Sequence, residues 1–220
     1  MNPYVVIAGL ILLVTQGGPI PQAGNADVIL ARWNDEINRK LVLGALWTAT
    51  HSETDERSGK ETLVASVAEY LEALDKGDRS VLQPEAITAF KKRLSSLLAD
   101  EDHVLRALGA VLLGVCGDKS DAGQLARLLE PRSVEGLFPR LDRGRAATAL
   151  GMIGAREYTL DLVTLLKSPN DFDRSGAALG LGMLRASQYE QAISNLLNDE
   201  DEGVRETAKI SLALMRQKPR

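Results

Sequence analysis

Apolar positions recur along the chain with a period of about 31 residues. Counted from a repeated arginine, small or apolar side chains occupy most of the positions three, four and seven residues further on, which share one face of a helix. A second apolar stripe follows at nineteen, twenty-two and twenty-three residues from the same arginine. The arginines are Arg106, Arg143, Arg174 and Arg205, spaced by 37, 31 and 31 residues, and the second stripes are Leu125, Leu128, Leu129; Leu162, Leu165, Leu166; and Ile193, Leu196, Leu197. Each unit therefore predicts a helical hairpin.

One hairpin cannot bury its apolar face alone, so the units must stack and share a continuous core. The pattern predicts an all-α fold, an α-solenoid of stacked antiparallel helical hairpins. The longer unit of 37 residues contains Pro131, Gly136 and Pro139 between Leu129 and Arg143, which predicts a longer loop there.

Small residues near the end of each first helix predict close helix packing or a left-handed cap conformation. They are Gly114, Gly151 and Gly182. The polar positions Lys209 and Ser211, with the basic tail 218–220, predict that the last unit is a terminal cap with one face in water.

The residues of the unit resemble the HEAT repeat family: an acidic turn, Arg, Ala-Ala, Leu-Gly, and a later Leu-x-x-Leu-Leu-x-Asp. The period is most similar to the short repeats, about 31 residues long, of the phycobilisome-lyase type. The resemblance extends over 101–217. It implies a right-handed α-solenoid with first helices on the convex side, second helices on the concave side, and a role as a binding scaffold. It divides the chain into divergent N-terminal helices of the solenoid at 27–99 and HEAT-like repeats at 100–220.

Upstream of the clear repeats the pattern predicts three helices, over 27–50, 60–74 and 84–99, the last with a proline in its first turn. The polar segment 51–59 predicts a solvated connector.

The first 26 residues lack Asp, Glu, Lys and Arg, and 4–14 is an uninterrupted apolar run. Eleven residues are too few to cross a bilayer core as a helix, which takes about 20. The run and the Gly/Pro-containing stretch after it are typical of a secretory signal. Residues 1–26 are therefore predicted to be a signal peptide or an N-terminal membrane anchor, with a buried first helix as the alternative. The predicted location is secreted, periplasmic or membrane-anchored rather than cytoplasmic.

Composition narrows the function further. Aromatic residues make up 4% and the net charge is −4, so an aliphatic helical core is favoured, and the basic stripe of a nucleic-acid binder is not expected. His51 and His103 are the only histidines and Cys116 the only cysteine, which is too few for a thiolate or imidazole metal site. Phosphate-loop, dinucleotide and nucleophile-elbow motifs do not occur. We therefore predict no enzyme activity, no metal and no cofactor.

Two sets of polar residues remain as candidates. The repeat arginines lie beside acids, which predicts a structural ladder between units, or less readily a ligand-binding row. On the second helices, residues off the apolar stripe predict a partner-binding face, although a simple solvated face is equally compatible: Gln124, Arg127, Asp161, Thr164, Ala192 and Asn195.

The sequence thus predicts a non-enzymatic HEAT-like scaffold that binds a protein or peptide partner, exported or attached to a membrane through residues 1–26. The alternative, which follows from the resemblance, is a phycobilisome-lyase-like protein that acts on a tetrapyrrole-bearing partner.

Overall fold

The computed structural model describes residues 26–51, 61–130 and 140–217. These residues form an all-α solenoid of helical hairpins, with no strand among them, and the predicted fold class is confirmed. The helices are α1 (Ala26–Asn34), α2 (Glu36–His51), α3 (Glu61–Asp75), α4 (Pro84–Leu98), α5 (His103–Cys116), α6 (Ala122–Ala126), α7 (Asp142–Met152), α8 (Thr159–Leu165), α9 (Asp171–Met183), α10 (Glu190–Asn195) and α11 (Glu202–Arg216).

The first helices of the units stack in chain order, with α7 between α5 and α9, and α11 against α9. The second helices α6, α8 and α10 are short, and 3₁₀ turns at Arg127–Leu129 and Leu196–Asn198 extend α6 and α10. Polar side chains cap the first helices where the chain turns into them: Asp102 accepts from the Val104 amide at 2.8 Å and Asn170 from the Phe172 amide at 3.0 Å.

Upstream of the repeats, the helix predicted over 27–50 is divided into α1 and α2. Asp35 separates them because its Oδ1 accepts from the amides of Ile37 and Asn38, both at 3.1 Å, and so caps a new helix. Helices α2 and α4 both pack against α5. The helix α5 is consequently enclosed, and every residue from Val104 to Cys116 is buried.

Backbones touch between α7 and α9. A Cβ placed on Gly151 would lie 2.6 Å from the Gly180 Cα, and a Cβ placed on Gly176 would lie even closer to the Gly144 carbonyl oxygen. The hydroxyl of Thr148 crosses this interface and donates to the carbonyl of Gly176 at 3.2 Å. Of the two roles predicted for the repeat glycines, close packing is the one observed.

Left-handed backbone occurs three residues further on than predicted. Gly154 has φ +74 and Arg185, at the equivalent position of the next unit, has φ +50. In both cases a 6→1 hydrogen bond closes the helix end, Ala155 N to Leu150 O at 3.0 Å and Ala186 N to Leu181 O at 3.1 Å.

Two expectations about the last unit need revision. Leu197, on the predicted second stripe, is 36% exposed, because no further unit of the described chain covers it. Ser211 was expected on a water-facing cap surface, and this is wrong: Ser211 is fully buried against Gly182 and donates to the Thr207 carbonyl at 2.8 Å. Lys209 is exposed, as a cap requires.

Several predictions fall outside the described residues: the N-terminal segment up to residue 25, most of the polar connector, and the loop of the longer unit at 131–139. Within the described ranges, none of the helices combines the length and the apolar character needed to cross a bilayer.

Candidate functional site

The repeat arginines hold the turn before their own helix and reach toward the next unit. Arg106 donates from Nη1 to the carbonyls of Asp100 and Glu101, at 2.6 and 2.5 Å, and from Nε to Asp142 Oδ2 at 2.6 Å. Asp102, its predicted acidic neighbour, caps α5 instead. The Arg106 side chain is 4% exposed, so its charge is paired with groups inside the solenoid.

Arg174 repeats this geometry one unit on. Its Nη1 donates to the carbonyls of Ser168 and Pro169, and Nε and Nη2 hold both oxygens of Asp199 at 2.8 and 2.6 Å. Arg205 holds the carbonyls of Asp199 and Glu200 at 2.8 and 2.9 Å. These contacts are those of a structural ladder.

Arg143 departs from the pattern. Its Nε lies 3.0 Å from Asp173 Oδ2, but the orientation does not make a hydrogen bond, and Nε is buried without an acceptor. The contact is therefore a charge pair only. The positions that would supply the two carbonyls, 137 and 138, lie outside the described residues.

The pKa values of the two buried acids of this ladder are shifted in opposite directions. Burial alone would raise the pKa of Asp142, but hydrogen bonds from Arg140 and Arg106 outweigh it and hold the pKa below its usual value. Burial raises the pKa of Asp173 above its usual value, because the Ser168 hydroxyl and the charge of Arg143 compensate only in part. The Asp173 Oδ1 atom is buried without a hydrogen-bond partner.

The predicted partner-binding residues divide into two groups. Gln124 is half-buried and tied to the solenoid, since its Oε1 accepts from Ser95 and its Nε2 donates to Asp121, both at 3.0 Å. Asn195 is exposed and accepts from Gln191 on its own helix at 3.2 Å. Neither residue lines the groove that is described in the next paragraph.

Of the other four predicted residues, Ala192 is half-buried and packs against the core, while the remaining three come together. Arg127, Asp161 and Thr164 are exposed and line one groove, of about 530 Å³, between α6 with its 3₁₀ extension and α8. We call it the α6–α8 groove. Leu129 and Leu165 supply apolar lining.

Three further polar side chains line this groove outside the predicted partner-binding face, and one of them, Arg143, was predicted only as a repeat arginine. Tyr158, Glu130 and Arg143 line the groove. Leu160, one helical turn before Thr164, is 68% exposed, the highest value among the large apolar side chains of the described residues. The sequence does contain a signal for this exposed residue. Leu160 lies two positions before the leucine stripe of its unit, where the other units have a small or polar residue.

The remaining candidate residues for chemistry are the cysteine and the potential metal ligands. Cys116 is fully enclosed, and burial raises the pKa of its thiol to about 12, so the thiol stays protonated and inert at neutral pH. The described residues contain no group of three or more His, Cys, Asp and Glu side chains placed to hold a metal ion.

Comparisons with known proteins give a distant likeness. No family model matches the chain, and no curated protein matches it. Among solved structures, the chain is similar to a designed armadillo repeat protein, with 16% sequence identity over 86% of this chain and 98% of that chain, at a TM-score of 0.37.

Proposed function

We propose that the chain is a non-enzymatic interaction scaffold of the HEAT-like repeat type, which binds a segment of a protein partner in the α6–α8 groove. The observation that carries this proposal is the convergence of Arg127, Asp161 and Thr164, from two successive units, on one groove.

The distribution of buried and exposed side chains supports this location. The first helices of the units are largely buried within the solenoid: this applies to α5 and to most of α7 and α9. The groove, in contrast, combines apolar lining with exposed charges of both signs, Arg127 and Asp161 among them. An apolar patch with a polar rim is typical of protein-binding surfaces.

Leu160 adds an anchor beside the groove. An exposed leucine alone needs no explanation, but Leu160 lies on α8 one helical turn before Thr164, which lines the groove. A partner segment that extends one helical turn along α8 from the groove would cover Leu160 and gain the free energy of burying it. The volume of the groove lies within the range of about 300–1,000 Å³ found for ligand sites, which suits a few side chains of a partner.

The partner is tested with the tagged full-length chain and matched charge reversals. We expect Asp161→Lys and Leu160→Asp to lose a protein that the wild-type chain captures, identified by mass spectrometry. Glu69→Lys, a reversal of an exposed acid on α3 away from the groove, should retain it. Retention of every specific partner by both groove variants would contradict the proposal.

We further propose that residues 1–26 export the chain or attach it to a membrane, which rests on the uncharged apolar run 4–14. Fractionation of a C-terminally tagged chain tests this. A full-length cytosolic product would contradict it and leave the groove proposal intact. The lyase-like alternative stays a prediction, and absorbance spectra of the chain incubated with a tetrapyrrole test it.

A further inference from the structure

The repeat arginines are not equivalent, and the exception lies at the groove. In Arg106 and Arg174, Nε donates to a carboxylate of the next unit, at 2.6 and 2.8 Å. The Nε of Arg143 makes no such hydrogen bond. Among the described residues, its guanidinium is therefore held in the ladder by the charge pair with Asp173, without the directional bonds that fix the other two.

Arg143 is also the most accessible of these three. Its side chain is 19% exposed, against 4% for Arg106 and 9% for Arg174, and it lines the α6–α8 groove. A partly desolvated guanidinium attracts an anion more strongly than one in open water, because the effective dielectric constant is lower. Arg127 places a second, exposed cation in the same groove.

We propose that the α6–α8 groove binds one carboxylate side chain of the partner segment, through Arg143 with Arg127 assisting; this inference rests on the proposed function. The occupant is a protein segment that presents Asp or Glu next to an apolar residue. The apolar residue packs on Leu129 and Leu165, which line the groove.

The acids of the groove restrict this occupant further. Glu130 and Asp161 line the groove and are exposed. They repel a second carboxylate and favour a cation beside the first, so the groove selects an acidic residue with a basic neighbour over a run of acidic residues.

Acetate is the probe that tests the carboxylate site, with acetamide as its uncharged counterpart. The full-length chain, labelled with ¹⁵N in arginine, is titrated at constant ionic strength and pH 6 while the Nε–H signals are followed by NMR. We expect acetate to shift the Arg143 signal saturably and acetamide to leave it in place. The exposed Arg216, which is paired with Glu190, serves as the internal control. An equal response to acetamide, or no acetate response at Arg143, overturns the inference.

Two substitutions at exposed positions test whether acetate binds in the α6–α8 groove, and they leave the core unchanged. Arg127→Gln should weaken acetate binding roughly two- to fivefold and Asp161→Asn should strengthen it by a similar factor, the effect of one exposed charge pair. Unchanged acetate affinity in both variants overturns the inference.

The two proposals fail separately. If acetate recognition is absent while Asp161→Lys still abolishes partner capture, the carboxylate site is wrong and the scaffold proposal stands. If acetate binds as expected while groove variants retain every partner, the scaffold proposal is wrong at this groove.

Discussion

Asp142 and Asp173 occupy equivalent positions, each directly before a repeat arginine, but the protein shifts their pKa values in opposite directions. Asp142 is fully buried but accepts hydrogen bonds from Arg106 and Arg140, as close as 2.6 Å. Asp173 is 2% exposed, and its hydrogen bond comes from the neutral Ser168 hydroxyl at 2.7 Å. The same residue type is thus stabilised as an anion in one unit and destabilised as an anion in the next.

The amide substitutions at these positions should show this difference. Because the pKa of Asp142 is lowered by folding, its ionised form stabilises the protein above the ordinary pKa of Asp, and this stability is lost as pH falls through the folded pKa. Asp142→Asn should cost about 3 kcal/mol at pH 7, since it leaves buried arginines without a counter-charge. The cost should shrink below about pH 4.

Asp173→Asn should behave in the opposite sense. The raised pKa of Asp173 means that its stabilising contribution is complete below the unfolded pKa and is lost as pH rises through the folded pKa. The free energy of unfolding of the variant, relative to that of the wild type, should therefore be higher at pH 7 than at pH 4. Urea unfolding at both pH values measures this, and parallel pH profiles for the two variants would refute the assignment.

A buried arginine joins the N-terminal helices to the repeats. Arg32 on α1 donates from Nη1 to the carbonyl of Gly117 at 2.6 Å and to those of Gly114 and Val115 at 3.3 Å. These carbonyls close the C-terminal end of α5, where a cation is favoured by the helix dipole. Arg32 therefore caps a helix more than eighty residues away along the chain.

Arg32→Met should lower the free energy of unfolding by about 2–3 kcal/mol, because charge-assisted hydrogen bonds to buried carbonyls are lost. The matched control is Arg79→Met, since Arg79 is 70% exposed in its pair with Asp27 and should cost at most about 0.5 kcal/mol. Chemical denaturation measures both. Equal costs would show that the Arg32 contacts do not contribute.

At the scale of elements, the ends of the first helices depend on backbone conformation. Gly154 lies at the end of α7 and has φ +74. An added Cβ would have open space around it, since the nearest atom, on Lys119, is 3.9 Å away. Arg185 adopts the same conformation at the end of α9, and its Nη1 donates to the Gln217 carbonyl at 3.1 Å. A side chain can therefore occupy this position when a contact offsets part of the strain.

Gly154→Ala isolates the backbone contribution. Because nothing crowds the added methyl group, the expected loss of about 1 kcal/mol comes from the left-handed conformation alone. Gly44→Ala is the matched control: Gly44 lies within α2 with nothing within 4 Å of an added Cβ, and the change should stabilise by up to about 1 kcal/mol. Thermal unfolding should show shifts of opposite sign, and a loss in both variants would contradict the argument.

At the scale of the whole molecule, the close contact between α7 and α9 allows a test of whether the solenoid unfolds as one unit. The backbones meet at Gly151 and Gly180, where an added Cβ has no room. In a repeat protein each unit contacts its neighbours only, so stability is close to a sum of unit and interface contributions. A weakened interface should therefore affect its two sides unequally.

Gly151→Ala should destabilise the interface by about 1–3 kcal/mol, the usual cost of overpacking. Amide hydrogen exchange should show a larger loss of protection in α9 and α11 than in α5, because α5 keeps its contacts with α2 and α4. A uniform loss over all these helices would instead show a single cooperative unit.

The sequence alone was sufficient for the helical repeat, its register and most of its core. This follows because each unit repeats its apolar spacing, and Leu94, Leu125, Leu162 and Ile193 share one position and are all fully buried. Helix formation and amphipathic stacking depend on residues a few positions apart, so their pattern is visible in one dimension.

The tertiary structure decided what depends on distances between units. The groove at Arg127 and Asp161, the departure of Arg143 from the ladder and the burial of Ser211 all depend on how neighbouring helices approach one another. Sequence spacing places a residue on a helical face, but the closeness of the next helix determines whether that face is covered, paired or open to a partner. Between α7 and α9, for example, glycines at the contact allow the two backbones to touch.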